Sequence, residues 1–149
     1  MTIGEICSRE VIIAQAGDEV LEAARLMRQH HVGDVLVVET RHDIPVPVGI
    51  ITDRDLVVEI LASGANPAKF TVGDIMSTDL ATVREDLGIC ESLEFMRQRG
   101  VRRLPVVDAA GGLVGIVTVD DVLALLAEEL DAIVKLTRRE QQKETRARS

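Results

Sequence analysis

The feature that most constrains this chain is that it is written twice. Displaced by 69 positions, residues 3–38 overlay residues 72–107 without a gap. Gly4 meets Gly73, Ile6 meets Ile75, Ser8 meets Ser77, and Glu22 meets Glu91. Met27-Arg28-Gln29 meets Met96-Arg97-Gln98, Val32 meets Val101, and Val37-Val38 meets Val106-Val107. Ten identities in 36 positions exceed chance for an ungapped overlay. The displacement then falls to 66, because the loop around Arg41 to Pro47 is three residues longer than its partner. Beyond it, Val48, Gly49, Ile50, Thr52 and Asp55 meet Val114, Gly115, Ile116, Thr118 and Asp121. A unit of about 60 residues buries too little surface to be comfortable alone. The repeat therefore predicts one pseudo-twofold module, with copies at 1–63 and 72–130 joined by a linker at 64–71 and followed by an extension at 131–149.

Local signals recur in the same order in both copies. A short strand spans Val11 to Ala14, or Ala81 to Val83. A helix follows, opened by Asp18 or by Glu85-Asp86, where a carboxylate suits the N-terminus. Val20, Ala23, Ala24 and Met27 share one face of the first helix; Ile89, Leu93 and Met96 do so in the second. His30-His31 and Gly100 end them. Two apolar runs come next, Val35 to Val38 and Val48 to Ile51, matched by Leu104 to Val107 and Leu113 to Val117. Their connecting loops carry Pro45, Pro47 and Gly111-Gly112. A helix closes each copy. The predicted class is α/β (α+β), as two β-α-β-β-α repeats.

Composition narrows the function. Phe70 and Phe95 are the only aromatics, so a planar ligand must lie between Val, Ile and Leu side chains. The net charge of −8 argues against general nucleic-acid binding, which needs many Lys and Arg on phosphates. Cys7 and Cys90 make no disulfide framework and read as small buried apolar residues. No signal peptide is recognisable, and no run of about 18 apolar residues could span a bilayer. These features imply a reducing, cytoplasmic setting.

The repeated GIITDRD and GIVTVDD segments carry the chemistry. Thr52 stands where a strand ends and a helix begins, and its hydroxyl can cap that helix. The same helix end can receive a phosphate or hydroxyl ligand. Asp55 lies one turn in and projects near the same end; a carboxylate there is a good acceptor for ribose hydroxyls. Arg54, beside Asp53, adds a cation for phosphate oxygens. Together these groups describe a nucleotide site, and their recurrence at matched positions favours that reading over capping alone.

Those residues resemble a tandem CBS-domain protein, the arrangement called a Bateman module. The resemblance rests on IGEICS and VGDIMS, VGDVLVVE and VRRLPVVD, and VGIITDRD and VGIVTVDD, and covers roughly residues 1–130. It implies two clefts between the copies that take AMP, ADP, ATP or S-adenosylmethionine. It implies that Thr52 and Asp55, and Thr118 and Asp121 beside Asp120, contact phosphate and ribose. It implies that the backbone of the first strand (Ile12, Ile13, Ala14; Thr82, Val83) and of the turn into the second (Gly33, Asp34, Val35; Arg102, Arg103, Leu104, Pro105) holds adenine. It also implies a dimer built through helices. Ile13 stands where the family favours Thr, whereas copy two has Thr82-Val83. Val119-Asp120 replaces Asp53-Arg54 and removes a cation, which Arg102 and Arg103 can supply from another direction. Copy one's cleft ranks first for a charged nucleotide.

Other candidates carry less. His30-His31 has no metal-ligand set around it, His42 sits in a polar loop, and no metal site is expected. No serine or cysteine has a nucleophile's context, so no catalytic residue and no enzyme activity is expected. Val122, Leu125, Leu126, Leu130, Ile133 and Val134 form one apolar stripe from Asp121 to about Leu136, which predicts a partner chain. Residues 135–149 carry six Lys or Arg against two Glu, so the remainder carries −12; a solvated helix end or a tether to an acidic partner fits. The leading reading is a regulatory module that binds an adenosine ligand and acts on a separate effector protein; the other is a structural or interaction module that has lost the ligand.

Overall fold

The computed structural model describes Met1–Arg148. In chain order the elements are α1 (Ile3–Ile6), β1 (Ile13–Ala14), α2 (Val20–His30), β2 (Asp34–Arg41), β3 (Ile44–Thr52) and α3 (Asp53–Asp55). A π-helical stretch, Leu56–Leu61, continues α3, and a 3-10 turn, Pro67–Lys69, follows. Copy two gives α4 (Val72–Ile75), β4 (Val83–Arg84), α5 (Ile89–Arg99), β5 (Arg103–Val107), β6 (Leu113–Thr118) and α6 (Val119–Arg148). The strands make two three-stranded sheets, β1-β2-β3 and β4-β5-β6. In each sheet the first strand runs parallel to the second and the second antiparallel to the third. β3 packs against β6, so the sheets meet across the pseudo-twofold axis. The mixed α/β class and the repeated order are as the sequence predicts.

The head segments are exchanged. α1 lies not on its own copy but on copy two: the Ile3 amide donates to the Leu87 carbonyl and the Gly4 amide to Glu85, both at 2.9 Å. Ser8 bridges to Ile116. Ile3 and Cys7 belong to the core that also holds Val83, Leu104, Val106 and Val117. Reciprocally, α4 lies on copy one: the Val72 amide donates to Asp18 at 2.7 Å and the Gly73 amide to Ala16 at 2.8 Å. Ser77 bridges to Ile50, and Val72 is buried with Val35, Val37 and Ile51. Each copy therefore completes the other's core, which adds the burial that a unit of about 60 residues is short of alone.

This exchange explains the repeated glycines. A Cβ on Gly49 would lie 2.7 Å from the Met76 sulfur and 2.9 Å from the Ser77 carbonyl oxygen. On Gly115 it would lie 2.9 Å from the Cys7 sulfur and collide with the Ser8 carbonyl. The glycine of each G-x-x-T-x-x-D segment thus makes room for the visiting head segment.

Several local expectations are corrected. The first strands are shorter than predicted, two residues each, although the Ile12 carbonyl still accepts from the Leu36 amide at 3.1 Å. Asp18 does not open α2; Glu19 holds the N-cap position, while the Asp18 carboxylate accepts from the Gln15 amide at 2.8 Å and closes a turn. Likewise Gly88, not Glu85-Asp86, precedes α5. Pro45 and Pro47 lie in β3, not in a loop. The hairpin closes at His42 and Asp43, with φ of 50° and 64°, the left-handed pair that a tight two-residue turn requires. β3 ends its sheet, so the prolines' missing N–H groups cost no ladder bond there. His31 and Gly100 end α2 and α5 in the left-handed conformation, at φ 54° and 66°.

Cys7 is buried, as predicted, but Cys90 is exposed on α5. α6 runs unbroken for 30 residues, about 45 Å. Only Val122 is buried along it; Leu123, Leu126, Leu130, Ile133, Val134 and Leu136 are exposed. The basic end is helical to Arg148, braced by Lys135–Asp131 and Arg148–Glu144 ion pairs; Ser149 lies outside the described residues. Among the described residues no helix is long and apolar enough to cross a membrane.

Candidate functional site

The two repeated helix openings are built alike. At the end of β3 the Asp55 amide donates to Thr52 Oγ1 at 3.1 Å, and the Thr52 amide donates to Asp55 Oδ2 at 2.9 Å. At the end of β6 the Asp121 amide donates to Thr118 Oγ1 at 3.1 Å, and the Thr118 amide donates to Asp121 Oδ2 at 2.9 Å. These are reciprocal capping boxes. Thr2 with Glu5 and Thr71 with Asp74 form the same box at α1 and α4, so the spacing alone does not signal a ligand. What distinguishes Asp55 and Asp121 is position: both are half-buried just past the ends of β3 and β6, the strands at which the two sheets pack. Each retains its second carboxylate oxygen for an outside donor.

The turn into the second strand is tied to each opening. The Gly33 carbonyl accepts from the Asp53 amide at 2.9 Å, and the Arg102 carbonyl accepts from Val119 at 2.8 Å. Asp34 stands opposite Thr52 and Arg103 opposite Thr118 in their ladders. Asp34 and Arg103 are equivalent positions of the repeat, and their side chains meet across the copies at 2.7 Å. The two openings therefore lie at one end of the molecule, with an ion pair between them. β1 lies beyond β2 from Thr52, two strand spacings or about 10 Å away, a separation that a nucleoside can span.

The predicted residues divide by what they can offer. Thr52, Asp55, Thr118 and Asp121 are half-buried; Asp53, Arg54, Arg102, Arg103 and Asp120 are exposed. Arg102 pairs weakly with Asp120 at 3.7 Å, and the Asp53 carboxylate accepts from the Arg54 amide at 2.8 Å. The Arg54 guanidinium has no ion-pair partner among the described residues. Val35, Leu104, Pro105, Ala14 and Val83 are buried, so only their backbone can reach a ligand. Ile12 and Thr82 are half-buried and Ile13 exposed at their strand edges. Among the described residues no His, Cys, Asp and Glu group could hold a metal.

Open surface depressions lie apart from the openings. One, about 620 Å³, runs between β4 and α5 and takes in Thr82, Val83, Cys90 and Phe95. Another, about 640 Å³, sits at the far ends of β1 and β2, against Met76 and Thr78. Sequence reasoning did not find the Asp34–Arg103 pair, although the 69-residue displacement places these opposite charges on one another. That match was the available signal.

A family model of the CBS domain matches residues 3–62 and 72–128. The Methanopyrus kandleri protein MK0525 is 41% identical over 123 residues, which cover 83% of this chain and 61% of that protein; this chain thus spans under two thirds of it. Hypoxic response protein 1 of Mycobacterium tuberculosis is 31% identical over 137 residues, 92% of each chain. Among solved structures, the CBS domain pair of protein MJ0100, in complex with 5′-methylthioadenosine and S-adenosyl-L-methionine, aligns at 28% identity and a TM-score of 0.70. That alignment covers 87% of this chain and 98% of the other. With both halves matched and the fold shared, the chain belongs to the CBS-domain family, as a tandem pair.

Proposed function

We propose that this CBS pair is a regulatory module that binds an adenosine-containing ligand between its copies and signals through the angle between them or through its packing in a dimer. The observation that carries the proposal is the matched pair of half-buried Thr–Asp openings at one end of the molecule. Each opening stands two strand spacings, about 10 Å, from the first strand of its sheet. Support comes from the MJ0100 CBS pair, whose structure contains two adenosine derivatives. On this reading Asp55 and Asp121 accept from ribose hydroxyls, and the strand edges at Ile12–Ala14 and Thr82–Val83 meet the adenine. The exposed stripe of α6 packs on a second copy, and the signal passes to an effector protein because ligand and partner states are linked. The module itself performs no catalysis.

The capping boxes also favour a second reading, a structural or interaction module. Both hydroxyls and one oxygen of each carboxylate are already satisfied within the protein. Thermal unfolding with 5′-methylthioadenosine, S-adenosylmethionine, AMP, ATP and NADH separates the two. A ligand at a hundredfold over its Kd stabilises by about 2.7 kcal/mol, which raises Tm by roughly 5–10 °C in a chain of this size. No shift with any of them supports the second reading.

A further inference from the structure

Charge around the two openings separates classes of adenosine ligand; the inference rests on the adenosine-binding reading above. Five carboxylates stand there, Asp34, Asp53, Asp55, Asp120 and Asp121, against three guanidiniums, Arg54, Arg102 and Arg103. The acids are in excess by two. Two of the three cations are already engaged by protein carboxylates: Arg103 by Asp34 at 2.7 Å and Arg102 by Asp120 at 3.7 Å. The pair at 2.7 Å is the better protected. The Asp34 side chain is 17% exposed, and it stands opposite Thr52 while its partner Arg103 stands opposite Thr118, so the pair joins both openings.

A phosphate group brings about 1.5 to 2 negative charges. Arg103 meets Asp34 through one guanidinium nitrogen, so a phosphate that shares Arg103 comes to lie beside the Asp34 carboxylate. Repulsion between the two anions, in a spot where Asp34 is poorly hydrated, opposes it. A ligand uncharged or cationic at its 5′ position meets no such repulsion and gains from the acidic excess.

We propose that the Asp34–Arg103 pair is a charge filter, which rejects adenosine polyphosphates and admits adenosine ligands that are uncharged or cationic at the 5′ position. Asp34 is thus the specificity-determining residue of the cleft. It reverses the preference of copy one's opening for a charged nucleotide that Arg54 alone suggests.

Calorimetric titration of the full chain with 5′-methylthioadenosine, S-adenosylmethionine and ATP tests this, in wild type and in Asp34→Asn. Asparagine keeps the shape of Asp34 and removes its charge. Wild type binds at least one of the first two about tenfold or more tightly than ATP. In Asp34→Asn that ratio falls by about tenfold or more, and the gained ATP affinity weakens with added salt because the freed Arg103 now meets phosphate. A merely structural role for Asp34 would lower all three affinities together and leave the ratio unmoved. Wild-type affinity for ATP equal to or above that for the other two overturns the proposal, as does an unchanged ratio in the variant. The wild-type ratio decides alone if the variant folds poorly. Wild type that binds none of the three overturns the adenosine reading itself, and the filter with it.

Discussion

Asp34 and Arg103 occupy the same position in the two copies, carry opposite charges, and meet at 2.7 Å. A perfect repeat would set like charges there. The opposite charges at this one position make a clasp between the copies.

The clasp contributes to stability as well as to charge. Arg103 is 43% exposed and Asp34 17%, between a surface pair and a buried one. Arg103→Asp destabilises through two facing carboxylates, and the exchange Asp34→Arg with Arg103→Asp recovers most of the loss. Urea denaturation of the two single variants and the double variant yields a coupling energy of about 1 kcal/mol.

The glycines of the repeated motif answer to packing. Gly115→Ala forces a methyl against Cys7 and Ser8, and Gly49→Ala against Met76 and Ser77. Each costs about 1–3 kcal/mol in denaturant unfolding, read at full length and without ligand. Gly17→Ala, with open space around its Cβ position, serves as the control and changes stability little.

The exchanged head segments predict where opening propagates. Ile3 is fully buried in copy two's core, so Ile3→Ala costs about 2–4 kcal/mol. In hydrogen exchange the amides of β5 and β6 lose more protection than those of β2 and β3. Val72→Ala produces the reverse pattern, since Val72 is buried in copy one's core.

The two thiols differ in reactivity. Burial pushes the Cys7 thiol up, against the pull of nearby Arg9, while Cys90 is exposed. Iodoacetamide labels Cys90 in the native protein, and Cys7 only after unfolding. The folded state holds the Cys7 proton more tightly than the unfolded chain. Its contribution is therefore complete below the ordinary thiol range and is lost as pH rises through the raised pKa.

The repeat, the strand pairs and the Thr-x-x-Asp helix openings were legible because periodicity and turn chemistry are local. Thr52, Asp55, Thr118 and Asp121 were visible as caps for that reason. The exchange of α1 and α4 was not, since the similar head segments, IGEICS and VGDIMS, suit either copy's core in composition. Cys90 was misplaced because α5 turns that position outward, at the rim of the depression beside Phe95. The prolines of β3 read as a loop because nothing local marks β3 as the last strand of its sheet.

Titration of 5′-methylthioadenosine into wild type, Asp55→Ala and Asp121→Ala tests the central claim most directly, with each variant's Tm measured alongside. Losing one side of a capping box costs about 1 kcal/mol and leaves each variant folded. The account predicts saturable wild-type binding and loss of affinity of about tenfold or more in at least one variant. Wild-type affinity retained in both variants, or no wild-type binding at all, contradicts it.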